Sequence, residues 1–387
     1  MKILYLQMFP FHGSGSGTYA RELAVEMAKR HEVAIVAPDD RKLKGVKIYR
    51  VKLPVKIAFT GHPEWPECKL YTKVSGKDLA KNYLAYYNAT IKAVDEFQPD
   101  IIHVHHLMPL TWIARFIKIA YGINYIVTAH GSELPTLQDD KRYPNLTAEA
   151  LRKSTRIVPN SNWTKEWMQQ VFGDEFNSRT RVIPGGIDFS LYPESMDTSD
   201  IDKRYGLGGK KLVLFSGKLT KYKGVKYLVY AAKKIDAEIG IVGDGPERKN
   251  LEKLVKDLKL KNVHFFGHIA NGSLIKLYYR ADVSVVPSVW DEPLGLVVLE
   301  AMATRTPVVV TRKGGIPLAV KDGYNGFFVR PRNPREIAEK VNLLLGDPAL
   351  SKKIGDNARK TIREKFMWSK IGLRFERMYK EFALKKS

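Results

Sequence analysis

Two glutamates, Glu292 and Glu300, stand eight positions apart in the segment Trp290-Asp291-Glu292-Pro293-Leu294-Gly295-Leu296-Val297-Val298-Leu299-Glu300-Ala301-Met302-Ala303. Gly295 divides that segment into a loop and a helix, the helix being marked by Leu296, Leu299 and Met302 at helical spacing. A helix start presents unbonded backbone N–H groups and the positive end of the dipole to anions, so the first-turn amides of such a helix can hold a diphosphate. An ionised carboxylate offers about four lone-pair sites. Glu300 can therefore accept hydrogen bonds from sugar hydroxyls, while Glu292 waits in the loop before the helix. The competing reading is an acid that favours the helix dipole and a solvated glutamate in the helix. The pair alone does not separate the two.

Further groups of the same kind lie upstream. In Leu212-Val213-Leu214-Phe215-Ser216-Gly217-Lys218-Leu219-Thr220-Lys221-Tyr222-Lys223-Gly224, a strand ends in Gly217, and Lys218 and Lys223 stand close to a helix start. Cations there can neutralise a departing diphosphate; Lys221 reads as surface. Gly243-Asp244-Gly245-Pro246 is a second strand-turn-helix junction, with Pro246 suited to a first helical turn. Backbone groups at Gly267, His268 and Ile269 are available to the edge of a base. In the first half, Ile101 to His106 ends in His103, His105 and His106, with His103 and His105 on one face. A metal site would want a further His or carboxylate in register, and none is apparent, so no metal is expected. A neutral His at a strand end suits a substrate hydroxyl, with core packing the alternative for His103. Ala129-His130-Gly131 repeats the arrangement. Near the N-terminus, Gly13, Gly15 and Gly17 alternate with Ser14 and Ser16 before Thr18. Glycines allow close backbone approach, which makes Gly15 and Ser16 candidates for ligand contact. Their spacing does not complete a dinucleotide fingerprint.

The elements that must position these residues form two series. Strands are predicted at Lys2–Leu6, His31–Ala37 and Gly45–Pro54, within Pro99–His106, from Tyr125 to the His130-Gly131 turn, over Arg156–Ser161 and, running into a turn, over Arg181–Asp188, with helices over Tyr19–Arg30 and Gly76–Phe97. Ser161 caps a helix expected from near Thr164. The acidic stretch Glu194–Asp202 reads as a linker, after which strands and helices alternate again to a last helical region from Pro334. Two α/β series, each with Gly, His or Lys at its strand ends, imply two doubly wound domains facing each other across a cleft.

Bulk properties agree with that size. A chain of 387 residues exceeds one ordinary core and suggests two domains of about 190 residues. The single Cys68 cannot form an internal disulfide. No signal peptide is visible, and no apolar run approaches the ~20 residues a bilayer span needs. The expectation is a soluble, cytoplasmic protein. The net charge is +23; residues 1–188 carry 26 Lys/Arg against 19 Asp/Glu, and residues 189–387 carry 38 against 22. Solvated basic helix faces explain this most simply, with anionic membrane at the inner face as a peripheral partner. No basic stripe interleaved with aromatics stands out, so nucleic acid is not expected.

With these motifs in order, the chain resembles the retaining glycosyltransferases of family 4, also called group 1, which have the two-domain GT-B fold. The most specific match is Glu-x7-Glu, here Glu292 to Glu300, and the N-terminal glycine loop, Asp100–His106, Asn160-Ser161, Val182–Asp188, Gly217–Gly224 and Gly243–Pro246 support it. The resemblance implies an acceptor-binding domain over residues 1–190, a donor-binding domain over 191–365, and a final helix from 366 crossing back to the first. It implies transfer of a hexose, with retention and without a catalytic metal or other cofactor, from a nucleotide diphosphate sugar to a hydroxyl of a glycan, a lipid-linked acceptor or a small molecule. A UDP-sugar is the expected donor, with GDP- or ADP-sugars as alternatives. His105 would lie near the transferred sugar, Glu292 on the donor sugar, Glu300 on the ribose, Leu296 and Val297 on phosphate, and Lys223 on the diphosphate. Lys218 replaces the usual Arg, turning a bidentate clamp into a point charge. Leu294 replaces an aromatic residue, with an effect expected on loop packing, and Gly185 stands where Asn is common. Residues 12–18 lack Lys-Thr-Gly-Gly-Leu, which speaks against a glycogen acceptor. The rival reading is a catalytically lapsed basic protein that binds anionic membrane or nucleic acid.

Overall fold

The computed structural model describes residues 1–292 and 295–383; Leu294, and with it the expected effect on loop packing, lies outside the described residues. The chain forms two compact units, one from residues 1–185 together with the helix Trp368–Phe382, the other from residues 186–367.

In the first unit the strands are β1 (Lys2–Leu6), β2 (Glu32–Ala37), β3 (Val46–Arg50), the two-residue β4 (Ile57–Ala58) and β5 (Lys69–Leu70), β6 (Ile101–His105), β7 (Tyr125–Ala129) and β8 (Arg156–Pro159). β4 pairs only with β5, and the main sheet runs β3-β2-β1-β6-β7-β8 with every pairing parallel. The second unit repeats the plan with β9 (Leu212–Ser216), β10 (Glu238–Val242), β11 (Val263–Gly267), β12 (Val283–Val286), β13 (Val308–Thr311) and β14 (Phe327–Val329). Its order is β11-β10-β9-β12-β13-β14, again parallel throughout.

Strand alternation explains the layering. In the first unit Leu4, Leu6, Ile102 and Val104 join one apolar cluster, while Ile3, Tyr5, Ile101 and Ile126 join another; successive residues of a strand face opposite sides, so both faces are covered. The second unit does the same with Leu212 and Leu214 on one side and Val213 and Phe215 on the other. The strand order reverses between β1 and β6 and between β9 and β12. At such a switch point the connections leave in opposite directions and open a crevice outside the carboxyl ends of the strands.

Several boundaries differ from the sequence reading: β2 starts at Glu32, β3 covers only Val46–Arg50, residues 181–186 form no strand, and helices start elsewhere than expected. The first helix spans Gly15–Ala28, because the Ser14 hydroxyl caps it by accepting from Gly17 N at 3.1 Å. Gly15 and Ser16 are thus first-turn helical residues, and a Cβ on Gly17 would meet the Pro10 carbonyl oxygen at 2.1 Å. The Ser161-capped helix starts at Asn162. The acidic stretch taken for a linker carries the helix Ser199–Tyr205, whose Asp202 pairs with Arg280 Nε at 2.6 Å.

Candidate functional site

The second unit collects most of the candidate residues at its switch point. β9 delivers Gly217, Lys218 and, after a short turn, Lys223; β12 leads through Ser288 to Glu292. Lys223 Nζ lies 2.5 Å from Glu292 Oε1, and the Ser288 hydroxyl donates to the same oxygen at 2.8 Å. The loop is pinned from its far side as well. Gly315 N donates to the Glu292 carbonyl at 2.6 Å, and the Asp291 carboxylate accepts from Gly314 N at 2.8 Å. Two charged ends of loops are held as a pair by backbone that has little freedom to relax, which is what preorganisation requires.

The helix that follows is Leu296–Ala303. Its N-cap is Gly295 at φ 73°, in the left-handed region where a side chain is strained, so glycine lets the chain turn sharply from loop into helix. No side chain caps this end among the described residues; the amides of Leu296 and Val297 belong to its first turn. Glu300 lies farther along. Tyr278 Oη donates to Glu300 Oε2 at 3.2 Å, and Ser216 Oγ lies 2.5 Å from Tyr278 Oη. Loss of water around the Glu300 carboxyl raises its pKa to about 7, the Tyr278 hydrogen bond opposing the shift.

Glycines set how closely the strand-end loops approach. Gly243, at φ 123°, lies so near Gly217 that a Cβ would sit 2.0 Å from the Gly217 carbonyl oxygen. Gly217 N bonds Val242 O at 3.0 Å and Gly243 N bonds Gly267 O at 2.7 Å, so three loops are hydrogen-bonded in a row. Gly224 is likewise tight, with a Cβ falling 2.1 Å from the Pro287 carbonyl oxygen. Lys218 is exposed at the end of this row, His268 is exposed after β11, and Ile269 is buried.

The first unit carries a separate group at its own switch point. His103 is tied on both sides, Nδ1 to Tyr379 Oη at 2.6 Å and Nε2 to Thr128 Oγ1 at 2.7 Å, which settles it as a core histidine. His105 is fully buried, its Nδ1 3.1 Å from His130 Nε2. Burial, with the neighbouring histidines, holds the pKa of His105 well below the usual value, so its ring is neutral. Glu133 Oε1 accepts from His130 N at 3.0 Å and from Leu107 N at 3.3 Å, binding together the loops after β6 and β7. Burial raises the Glu133 pKa to about 7 despite those bonds.

Thus Lys223, Glu292, Gly217, Gly243, Gly295, Leu296, Val297 and Glu300 belong to one strand-end region of the second unit, with Lys218 and His268 exposed on its loops. His105, Gly15 and Ser16 belong to the first unit. Among the described residues no three His, Cys, Asp or Glu side chains are grouped to hold a metal ion. Sequence reasoning passed over Ser288, Tyr278 and Ser216, because a lone hydroxyl or phenol has no spacing signal, and over Asp291, whose partner is the distant Gly314 amide. His130 was noted only as a repeat, and Glu133, three residues on, was not singled out.

Comparison with known proteins gives a consistent picture. Residues 197–361 match the family described as glycosyl transferases group 1, and residues 13–191 match glycosyltransferase family 4. An uncharacterized glycosyltransferase of Methanocaldococcus jannaschii is 30% identical over 95% of this chain and 94% of its own. The N-acetyl-alpha-D-glucosaminyl L-malate synthase of Bacillus anthracis is 30% identical over 72% of this chain and 74% of its own. Among solved structures, Anabaena HepE in complex with UDP superposes with a TM-score of 0.79 at 20% identity, covering 98% of this chain and 100% of that one.

Proposed function

The chain belongs to the group 1 glycosyltransferases, with two Rossmann-like α/β units of the GT-B kind, and from that premise we propose that it transfers a hexose, with retention, from a UDP-sugar to an acceptor hydroxyl. The observation that carries the proposal is the Lys223–Glu292 contact beside the Gly295-capped helix start. A diphosphate needs cations and aligned N–H groups as its negative charge grows during departure, and Lys223, Lys218 and the amides of Leu296 and Val297 are of those types. Glu292, already oriented by Ser288, accepts from hydroxyls of the donor sugar. Glu300 accepts from the ribose, and the backbone at His268 and Ile269 takes the base.

Retention by double displacement would need a carboxylate nucleophile on the sugar. Glu292 is committed to Lys223 and Ser288 and Glu300 to Tyr278, so the acceptor attacks on the face the diphosphate leaves. The bond from the anomeric carbon to the diphosphate oxygen breaks, the acceptor oxygen bonds to that carbon, and the acceptor proton passes to the departing phosphate. The cations do the electrostatic work, and no metal ion is assigned a role. His105 is neutral, so it serves as a hydrogen-bonding group of the acceptor side rather than as an acid.

The resemblance of the donor region to the UDP-bound neighbour in fold supports the choice of uridine, and UDP-glucose is the donor to try first, with UDP-N-acetylglucosamine beside it. Lys223→Ala should lower turnover by roughly 10²–10³-fold, the cost of one preorganised charge stabiliser. Near-normal transfer by that variant, measured with the donor the wild type turns over, defeats the assignment.

A further inference from the structure

The helix Leu110–Tyr121, Leu-Thr-Trp-Ile-Ala-Arg-Phe-Ile-Lys-Ile-Ala-Tyr, is apolar nearly all round, and such a helix normally lies buried on every side. Here only one side is. Leu110, Ile113, Ala114 and Ile117 enter the core, while Ile119 is 66% exposed and Phe116 42%. Leu84, on the helix Gly76–Phe97, is 57% exposed, and Leu146, on the helix Pro144–Lys153, is 39% exposed. These four side chains border a groove of about 750 Å³ floored by Tyr83 and Trp112. Scattered exposed apolar residues need no explanation, but a contiguous set around a groove marks a surface that expects an apolar neighbour.

The rim is basic. Lys77 and Lys81 are exposed on the same helix as the groove-lining Leu79, Ala80, Tyr83 and Leu84, and Lys141 is exposed in the loop before the helix that carries Leu146. Of the acids nearby, Asp78 pairs with Lys69 at 2.7 Å, Glu149 with Arg115 at 3.1 Å and Asp140 with Arg142 at 2.6 Å, which leaves the exposed Asp95 and Asp139 against Lys77, Lys81 and Lys141. The cations therefore outnumber the acids left to balance them. Apolar side chains ringed by lysines fit an interface of hydrocarbon and anionic headgroups. A second copy fits poorly, because a two-fold contact would press this basic rim against itself.

The groove also connects with the histidine cluster of the same unit. His106 lies 5.4 Å from Phe59, centroid to centroid, and Phe59 lies 4.8 Å from Tyr71. Tyr71 is 6.1 Å from Tyr143, and Tyr143 is 6.3 Å from Trp112 in the groove floor. A row of buried rings thus runs inside the unit from the strand ends to the groove.

We infer that this face of the first unit docks on an anionic phospholipid bilayer, with Leu84, Phe116, Ile119 and Leu146 entering the acyl boundary and Lys77, Lys81 and Lys141 meeting the headgroups. The inference gives a definite surface to the peripheral membrane contact expected from sequence. It does not rest on the reaction proposed above, because vesicle binding is read without turnover.

The test uses the full chain and sedimentation with vesicles, either pure phosphatidylcholine or an equimolar mixture with phosphatidylglycerol. The wild type should bind the anionic vesicles at least tenfold more tightly, and added salt should weaken that binding. Ile119→Asp and Leu84→Asp should each lower it at least tenfold with an unchanged thermal midpoint, since both positions are exposed. Lys77→Glu with Lys81→Glu should weaken it and flatten its salt dependence. Leu343→Asp, at an exposed site on the second unit, should leave it unchanged. Equal binding to both vesicle types, no binding to either, or full binding by Ile119→Asp overturns the inference; the last would mean that the net positive charge acts without this face. A wild-type dimer in light scattering that Ile119→Asp dissociates also overturns it and makes the face a contact between copies. Donor hydrolysis by Ile119→Asp should match the wild type, so failure here and failure of the transferase reading are distinguishable.

Discussion

Gly243→Ala tests whether the spacing of the strand-end loops matters to the chemistry. The new Cβ would lie 2.0 Å from the Gly217 carbonyl oxygen and 2.9 Å from its carbon. Ordinary contact begins beyond about 3 Å, so the two loops must part by roughly 1 Å. Neither is free to give. Gly217 N is bonded to Val242 O at 3.0 Å and Gly243 N to Gly267 O at 2.7 Å. Losing one such bond costs about 1 kcal/mol net, and an L-residue held at φ 123° adds about 1–2 kcal/mol of strain. The sum, about 2–3 kcal/mol, corresponds to a fall of very roughly 4–12 °C in the unfolding midpoint of a unit of this size. The catalytic effect should exceed what instability alone explains. Lys218 follows Gly217 directly, and a displacement near 1 Å of a positioning group can cost about 100-fold in rate. The assay is a thermal melt with and without UDP, followed by kcat and KM at a temperature where the variant is fully folded. Gly346→Ala, where an added Cβ meets nothing within 4 Å, serves as control. A Gly243→Ala protein with the wild-type midpoint and wild-type kcat/KM would refute the reasoning, because the steric conflict would have been absorbed without moving the site.

Removing the Ser288 hydroxyl, which donates to Glu292 at 2.8 Å, should lower kcat/KM about tenfold, the usual scale for one hydrogen bond to a charged group, and steady-state kinetics of Ser288→Ala will show it. Glu300 has an ordinary pKa of 4.5 and is raised to about 7 in the fold. Between those values the folded chain holds a proton that the unfolded chain has released, so this group's contribution to stability is full below pH 4.5 and falls as pH rises toward 7. Glu133 contributes with the same sign. The buried histidines act oppositely, because His130, lowered to about 3 by burial, stays neutral where the unfolded chain protonates. The expected result is therefore a difference: the stability of wild type minus Glu300→Gln in urea titrations should fall from pH 5 to pH 7, and a flat difference would reject the shift. Donor affinity should rise over the same interval as Glu300 ionises and becomes a pure acceptor, seen as a falling KM in wild type but not in Glu300→Gln.

Much of the fold was legible because parallel strands buried on both faces read as short β-branched runs, such as Val283–Val286, followed directly by Pro287 and Ser288, and Val308–Thr311, followed by the Gly314-Gly315 turn. The first helix was read too short for a physical reason: Gly15 and Gly17 weigh against helix by propensity, and the Ser14 cap together with the close Pro10 carbonyl overrides it. The Glu292–Glu300 pair was visible because one glycine with a positive φ stands between them, and a loop-to-helix junction of that kind leaves a mark in the chain. Tyr278 and Ser216 left none. They come from different elements, sixty-two positions apart in sequence, and only the packing of the helix Asn271–Arg280 against the strand ends brings them under Glu300.

That contrast bears on how the two glutamates differ. Glu292 faces a cation and a hydroxyl, Lys223 and Ser288, so it has fixed partners before any donor arrives. Glu300 has one phenol for company and a raised pKa. The two carboxylates of one loop-helix junction are thereby set in different surroundings, Glu292 in a network of fixed partners and Glu300 with its pKa raised to about 7 by burial. A sugar hydroxyl donating to Glu292 joins an existing network and must compete with Lys223 for the same oxygen. A ribose hydroxyl donating to Glu300 instead supplies the hydrogen bond that the carboxylate lacks, which draws its pKa down as the donor binds. Donor binding near pH 7 should then release a fraction of a proton, and isothermal titration of the nucleotide in buffers of different ionisation enthalpy should give different apparent heats for wild type and identical heats for Glu300→Gln. Identical heats for both proteins would mean that Glu300 does not meet the nucleotide, whatever its spacing from Glu292.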